Sequence, residues 1–189
     1  MRSIVSLVLL LVGGVPAAAG TVLSEVGGNW AGASGEGFSF LARLSQNEDM
    51  GRLTIWGGNP GEAAVAEGEP QFDNPAIAIG AFATRQALEV VEGVDGSRLQ
   101  IVTEYADEEG TGRIVTEVQF LDNQFTVVGY RHSGETAGRS FACDVDLWAM
   151  TAVEDGKSRA LEPVGFEALN ASDWTWDAAY ERGFCHRAE

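Results

Sequence analysis

Hydrophobic and polar residues alternate along most of this chain, in short runs that are separated by turn residues. Alternation begins over residues 38–43 and returns over 53–56 after the polar stretch 45–49, which predicts a hairpin. Further runs of the same kind cover residues 76–84, 87–92, 98–105, 113–121 and 125–132. They follow one another every ~10–13 residues with no helical pattern between them, so we expect an antiparallel meander.

Turn residues mark the connections between these predicted strands. Asp95 and Gly96 can adopt the positive φ of a tight turn, and Asp122 with Asn123 suits a hairpin. The stretch 57–75 is rich in Gly, Pro, Glu and Ala without a sustained period. This composition predicts a long loop that is either functional or mobile.

The last part of the chain combines strands with a helix. Residues 140–153 form the longest strand candidate, and residues 155–156 turn the chain towards another strand over 157–161. Asn170 or Ser172 can cap the one helix that the sequence predicts, and we expect this helix to continue towards Gly183.

Together these elements predict an all-β protein of about eight or nine strands with one short C-terminal helix, built as an antiparallel sandwich or a small closed barrel. Gly28, Asn29 and Trp30 resemble the GxW motif with which calycin barrels such as lipocalins and avidins begin. That resemblance implies the closed barrel. It rests on three residues, and we assign no family from it.

Residues 1–19 carry the pattern of a secretory signal peptide. Arg2 provides a positive start, residues 4–12 are almost wholly apolar, and small residues precede the cleavage point that we expect after Ala19. The apolar run is too short to span a membrane, which needs about 20 residues. Removal of 19 of the 189 residues leaves 170, which predicts one β-rich domain over 20–189. We expect it in the periplasm of a Gram-negative source and otherwise in the extracellular medium.

The chain is strongly acidic, with 28 Asp and Glu residues against 12 Lys and Arg residues and a formal net charge of −16. Loss of Arg2 with the signal peptide leaves about −17. Nucleic acids and anionic membrane surfaces are poor partners, because they need clusters of Lys and Arg and the chain has a single lysine, Lys157. The acidity suits solubility, and it also suits metal ions or a cationic partner such as a basic envelope protein.

Two cysteines, Cys143 and Cys185, are present. Export would place them in an oxidising compartment, so we predict a disulfide that pins the terminal helix to the sheet. It would close a loop of about 43 residues, which the chain-entropy description values at about 4 kcal/mol. The spacing fits neither a zinc site nor a CxxC redox pair.

Two acidic groups are candidate metal ligands. Alternation along the strand places Asp144, Asp146 and Trp148 on the face opposite the core. The second group is the turn formed by Asp107, Glu108 and Glu109. Carboxylates suit hard cations such as Ca²⁺, so we expect any metal binding to be oxygen-based and weak. A solvated strand face and ordinary turn chemistry explain the same residues, and we predict no cofactor.

Catalytic signatures are sparse. His132 is the one plausible base, because His186 lies beside Cys185 near the end of the chain. We place His132 in a loop just beyond a strand, where either a functional or an ordinary exposed histidine fits. Glu104 and Glu117 could face one another across neighbouring strands, but nothing local would make one carboxyl group neutral, as a glycosidase requires. We therefore name no catalytic residue.

Five tryptophans offer flat surfaces for contact. Trp56 leads into the predicted long loop, while Trp174 and Trp176 lie two apart at the start of the predicted helix and so point in different directions. We expect one of that pair to be buried and the other to be exposed. The candidate contacts with a ligand or partner are Trp56, Trp174, Trp176 and His132.

These observations favour an exported, acidic β-protein that binds a partner protein or a small ligand without catalysis. The alternative is a periplasmic hydrolase whose carboxylate-based or His-based site assembles only in three dimensions.

Overall fold

The computed structural model describes residues 20–31, 37–93 and 96–186, and most of these residues lie in strands. Two antiparallel sheets, of four and seven strands, form a sandwich, and the described strands do not close into a barrel. The strands are Val22–Asn29 (β1), Ser39–Asn47 (β2), Met50–Gly57 (β3), Phe72–Ile79 (β4), Ala83–Gly93 (β5), Gly96–Ala106 (β6), Gly110–Leu121 (β7), Gln124–Thr136 (β8), Arg139–Asp146 (β9), Thr151–Glu154 (β10) and Lys157–Ala160 (β11). The predicted all-β class is confirmed, with more strands than expected.

The four-stranded sheet has the order β1-β2-β3-β4. Its centre is the predicted hairpin, in which β2 pairs with β3. Strand β4 extends into the stretch that we predict as a loop. Pro75 lies within it, because β4 is an edge strand where the missing N–H group costs no ladder hydrogen bond.

The seven-stranded sheet is a meander in which β5 to β11 lie in chain order, as predicted. Asp122 and Asn123 both have positive φ, of 47° and 64°, in the turn between β7 and β8. Gly96 has a φ of 106° at the start of β6. Asp95 and the predicted signal peptide over 1–19 lie outside the described residues.

The longest predicted strand is divided into β9 and β10. Asp146 ends β9 because its Oδ1 accepts the backbone N–H groups of Trp148 (2.9 Å) and Ala149 (2.8 Å), which caps a turn. Met150 then adopts a φ of 50° before β10 begins. The Asp146 side chain therefore ends the strand by binding nearby backbone N–H groups, although the hydrophobic alternation of the sequence continues past it.

Two seams join the sheets along their edges. Along the first, the backbone N–H of Leu88 on β5 donates to Ser24 Oγ on β1 (3.0 Å). The second seam, beside β4, is occupied by the C-terminal segment, which we define as residues 161–186. The disulfide between Cys143 on β9 and Cys185 pins this segment, with 6.0 Å between the Cα atoms, and confirms the predicted pair.

The C-terminal segment contains less helix than predicted. Asn170 caps only a 3₁₀ turn, Ala171–Asp173, and the single α-helix is one turn, Ala178–Glu181 (α1). Trp174 is extended, because Asn74 Nδ2 on β4 donates to its carbonyl oxygen and to that of Ala171 (both 2.7 Å). The Ala171 carbonyl oxygen also accepts the backbone N–H of Trp174 (3.3 Å), which closes the 3₁₀ turn. No helix in the described part of the chain is long and apolar enough to cross a membrane.

The core lies between the two sheets and beneath the C-terminal segment. Cys143, Val145 and Leu147 are buried while Asp144 and Asp146 are exposed, as the alternation predicts. The largest fully buried side chains come from both sheets and the C-terminal segment and include Phe40, Leu44, Leu53, Ile55, Leu99, Tyr130 and Trp174.

Candidate functional site

A groove of about 200 Å³ lies at one end of the seven-stranded sheet. The β7–β8 turn, the β9–β10 turn and the C-terminal segment meet there. We define this end groove by its lining residues, which are Leu121, Thr126, Val127, Val128, Leu147, Trp148, Met150, Val164, Phe166 and Leu169. Nine of these ten side chains are hydrophobic, so the groove favours an apolar occupant.

Two aromatic residues on the end groove are exposed to solvent. Trp148 is 55% exposed and Phe166 is 40% exposed. Trp148 belongs to the turn that the Asp146 carboxylate caps. Phe166 begins a 3₁₀ turn, Phe166–Leu169, whose last residue is buried in the core. Backbone turns thus place both residues beside the groove.

The chain segments that line the end groove carry acidic residues but no basic ones. The three chain segments that line it, residues 121–128, 146–150 and 161–170, contain no Lys, Arg or His. Their acidic residues are all exposed, and none forms a salt bridge with a described residue; they are Asp122, Asp146, Glu162 and Glu167. The negative charge here is therefore uncompensated.

The three tryptophans proposed as contacts lie outside the end groove. Trp56 is half-buried: its Nε1 donates to the carbonyl oxygen of Gly68 (3.3 Å), and the Arg43 guanidinium lies 5.2 Å from its ring centroid. Trp174 is fully buried in the core, and Trp176 is half-buried. Trp56 fastens the β3–β4 loop, and Trp174 offers no surface to a partner.

His132 lies within β8 and not in a loop, because β8 continues to Thr136. It is 8% exposed, with Nε2 2.7 Å from the Tyr105 hydroxyl and Nδ1 2.8 Å from the Tyr180 hydroxyl. Each ring nitrogen therefore lies within hydrogen-bonding distance of one tyrosine hydroxyl, a group that can either donate or accept. Burial, together with the charge of Asp107, raises the pKa of Tyr105 and keeps its hydroxyl protonated. This cluster links β6, β8 and α1.

The acidic candidates stand at opposite ends of the sheet. Asp107 Oδ1 accepts the backbone N–H groups of Glu109 and Gly110 (both 2.9 Å), so it caps the β6–β7 turn. Asp146 caps the β9–β10 turn at the other end, and Asp144 is exposed on β9. Within the described ranges, no three His, Cys, Asp or Glu residues are grouped so that they could hold a metal ion.

Glu104 and Glu117 do not form an acid–base pair. Glu117 makes salt bridges to Arg98 (3.2 Å) and Arg131, while Glu104 contacts Arg113 (3.8 Å). A wide, shallow depression of about 400 Å³ adjoins Glu104 and Arg113. Because its charged residues neutralise one another, this depression offers less for recognition than the end groove.

Sequence reasoning missed Trp148 and Phe166 as contact candidates. The signal for Trp148 was present, since alternation places a large aromatic side chain on the same solvent face as Asp144 and Asp146. Phe166 had no such signal, because it lies outside the strands.

Comparison of the chain with protein-family models, with curated proteins and with solved structures finds no match to any of the three.

Proposed function

We propose that this chain is an exported binding protein that contacts a partner through the end groove and catalyses no reaction. The observation that carries the proposal is an apolar groove of about 200 Å³ lined by the exposed aromatic rings of Trp148 and Phe166. Large aromatic side chains beside a pocket are typical of binding hot spots, where one inserted group supplies much of the affinity.

Export is part of the proposal. The signal-peptide pattern over residues 1–19 supports it, as does the Cys143–Cys185 disulfide, because such bonds persist mainly in oxidising compartments. We place the protein in the periplasm if its source is Gram-negative and outside the cell otherwise.

The alternative, a hydrolase, has less support. His132 is engaged at both ring nitrogens by tyrosines, and Glu104 and Glu117 are held by arginines. A carboxyl group that acts as a general acid must stay neutral in apolar surroundings, whereas a neighbouring arginine favours its charged form.

The groove is tested by replacing Trp148 with serine. Phe38, which is 57% exposed and lies outside the end groove, provides the matched control, Phe38→Ser. Immobilised wild-type and variant proteins are incubated with an envelope extract, and captured proteins are quantified by mass spectrometry. We expect at least one partner that Trp148→Ser loses and Phe38→Ser retains. Equal capture by all three proteins would remove the groove as the contact site.

A further inference from the structure

We infer that the occupant of the end groove is a basic polypeptide segment in which one aliphatic or aromatic side chain is flanked by Lys or Arg. This inference rests on the proposed function and names the partner of the same site. It combines the size of the groove with the charge around it.

The volume of the groove limits what enters it. About 200 Å³ is below the range of roughly 300–1,000 Å³ that is usual for sites enclosing a whole small ligand. It suits a single side chain, which serves as the anchor of a larger molecule. The rings of Trp148 and Phe166 are placed to pack against such an anchor.

The surrounding charge defines the flanks of that anchor. Asp122, Glu162 and Glu167 are exposed, and each lies within two positions of a residue that lines the groove. Like most carboxylates among the described residues, these three form no salt bridge with a described residue. What distinguishes them is that the chain segments lining the groove contain no Lys, Arg or His. Cationic groups beside the anchor would supply the missing charge.

A polypeptide meets both requirements at once, because it carries an anchor and charges on either side of it. A small cation would not fill the groove, and a second copy of this chain would bring its own net charge of −16 to an acidic surface. Anionic lipid and nucleic acid are repelled for the same reason.

The probe is a fluorescent peptide with a central leucine between lysines, and binding to the purified protein is followed by anisotropy. Three comparison peptides replace the leucine with serine, the lysines with serines, or the lysines with glutamates. We expect the lysine–leucine peptide to bind best, and binding to weaken as salt approaches physiological strength, where the Debye length is about 8 Å.

Charge is tested in the protein with the triple variant Asp122→Asn, Glu162→Gln and Glu167→Gln. The matched control is the triple variant Glu67→Gln, Glu69→Gln and Glu92→Gln. It makes the same change in net charge at exposed positions that are distant in sequence from the groove segments. We expect affinity to fall about tenfold in the first variant, as three exposed ion pairs of roughly twofold each imply, and less than about twofold in the control.

The outcomes separate the two proposals. The leucine-centred peptides flanked by lysine, serine or glutamate could all bind equally well, and Trp148→Ser could abolish that binding. This result would overturn the basic partner and leave the groove as a binding site. A dimer in light scattering that Trp148→Ser dissociates would assign the groove to a second copy and overturn this inference. Equal binding of the leucine-centred and serine-centred lysine peptides, to the wild type and to Trp148→Ser alike, would overturn it as well, since charge alone would then act.

Discussion

Thr126 illustrates at the scale of one residue how the end groove is built. Its side chain is 1% exposed, and its hydroxyl makes no hydrogen bond with any described residue. Its neighbours on the floor of the groove are apolar, among them Val127, Val128 and Leu147. A buried hydroxyl without a partner costs stability, because it has lost water and gained nothing in return.

We therefore predict that Thr126→Val raises the free energy of unfolding by about 1 kcal/mol, because a methyl group replaces an unsatisfied hydroxyl. Thr54→Val serves as the control, since Thr54 Oγ1 donates to the carbonyl oxygen of Arg43 (3.4 Å) and that bond would be lost. Urea unfolding measures both. A lower unfolding free energy for Thr126→Val would contradict the prediction.

His132 shows why residue type alone does not identify a site. If the strand ended nearby, a histidine at this position would be typical of a functional or an exposed loop residue. Because β8 continues beyond it, the ring is buried and its nitrogens meet Tyr105 and Tyr180. Those tyrosines lie 27 and 48 residues away in the chain, so no local pattern could have indicated them.

At the scale of elements, the C-terminal segment is held to the sheets by a few specific links. The disulfide joins it to β9, and Asn74 holds it against β4. Arg159 on β11 donates to the carbonyl oxygens of Gly183 (3.0 Å) and Phe184 (2.8 Å). With one turn of α-helix, the segment depends on these links more than on its own secondary structure.

We predict that the double replacement Cys143→Ser and Cys185→Ser lowers the free energy of unfolding by up to about 4 kcal/mol, because the unfolded chain regains the entropy of an open loop. Urea unfolding with and without reductant measures the loss, and reductant should affect only the wild type. Intact mass of the non-reduced wild type should show a deficit of two hydrogens. Two freely alkylatable thiols in that material would contradict the bond.

Glu154 on β10 provides an acid-sensitive link to the same segment. Burial opposes its ionisation, but hydrogen bonds from Arg159 and from the backbone and ring of His186 outweigh burial and lower its pKa to about 2. A carboxyl group with a lowered pKa stabilises the fold above its ordinary pKa of 4.5. That contribution is lost as pH falls from 4.5 to about 2.

We predict that Glu154→Gln removes about 1 kcal/mol of stability at neutral pH, since solvent screens a side chain that is 20% exposed. The difference between variant and wild type should shrink as pH falls below 4.5. Exposed Glu135→Gln is the control for loss of one charge. Thermal unfolding across pH measures the effect, and a difference that stays constant down to the lowest pH would disprove the link.

At the scale of the whole molecule, charge opposes compactness. The net charge is −16, and many of the basic residues are already engaged in salt bridges with neighbouring carboxylates. The remaining carboxylates repel one another in the folded state more than in the expanded chain.

We predict that added salt raises the melting temperature at neutral pH, because screening of this repulsion outweighs the weakening of exposed salt bridges, which contribute about 0–1 kcal/mol each. Scanning calorimetry in increasing NaCl measures the change, and choline chloride separates screening from specific cation binding. A melting temperature that falls with both salts would show that the salt bridges dominate.

Much of the fold follows from the sequence, and the candidate site follows from it less well. Period-two alternation and turn residues such as Asp122 predict the meander, because strand pairing between chain neighbours needs only local signals. The end of β9 could not be predicted from alternation, because hydrogen bonds to the Asp146 carboxylate determine it. The end groove could not be predicted from alternation either, because its walls come from three separate segments of the chain.

The sequence by itself determined the all-β class, the disulfide between Cys143 and Cys185 and the acidity, because composition, period and the presence of only two cysteines are local or global properties of the chain. The tertiary structure alone decided between sandwich and barrel, buried Trp174 and brought Trp148 and Phe166 to one groove. These outcomes depend on which edges meet and on what the C-terminal segment covers, and such contacts between distant parts of a chain leave no periodic trace in it.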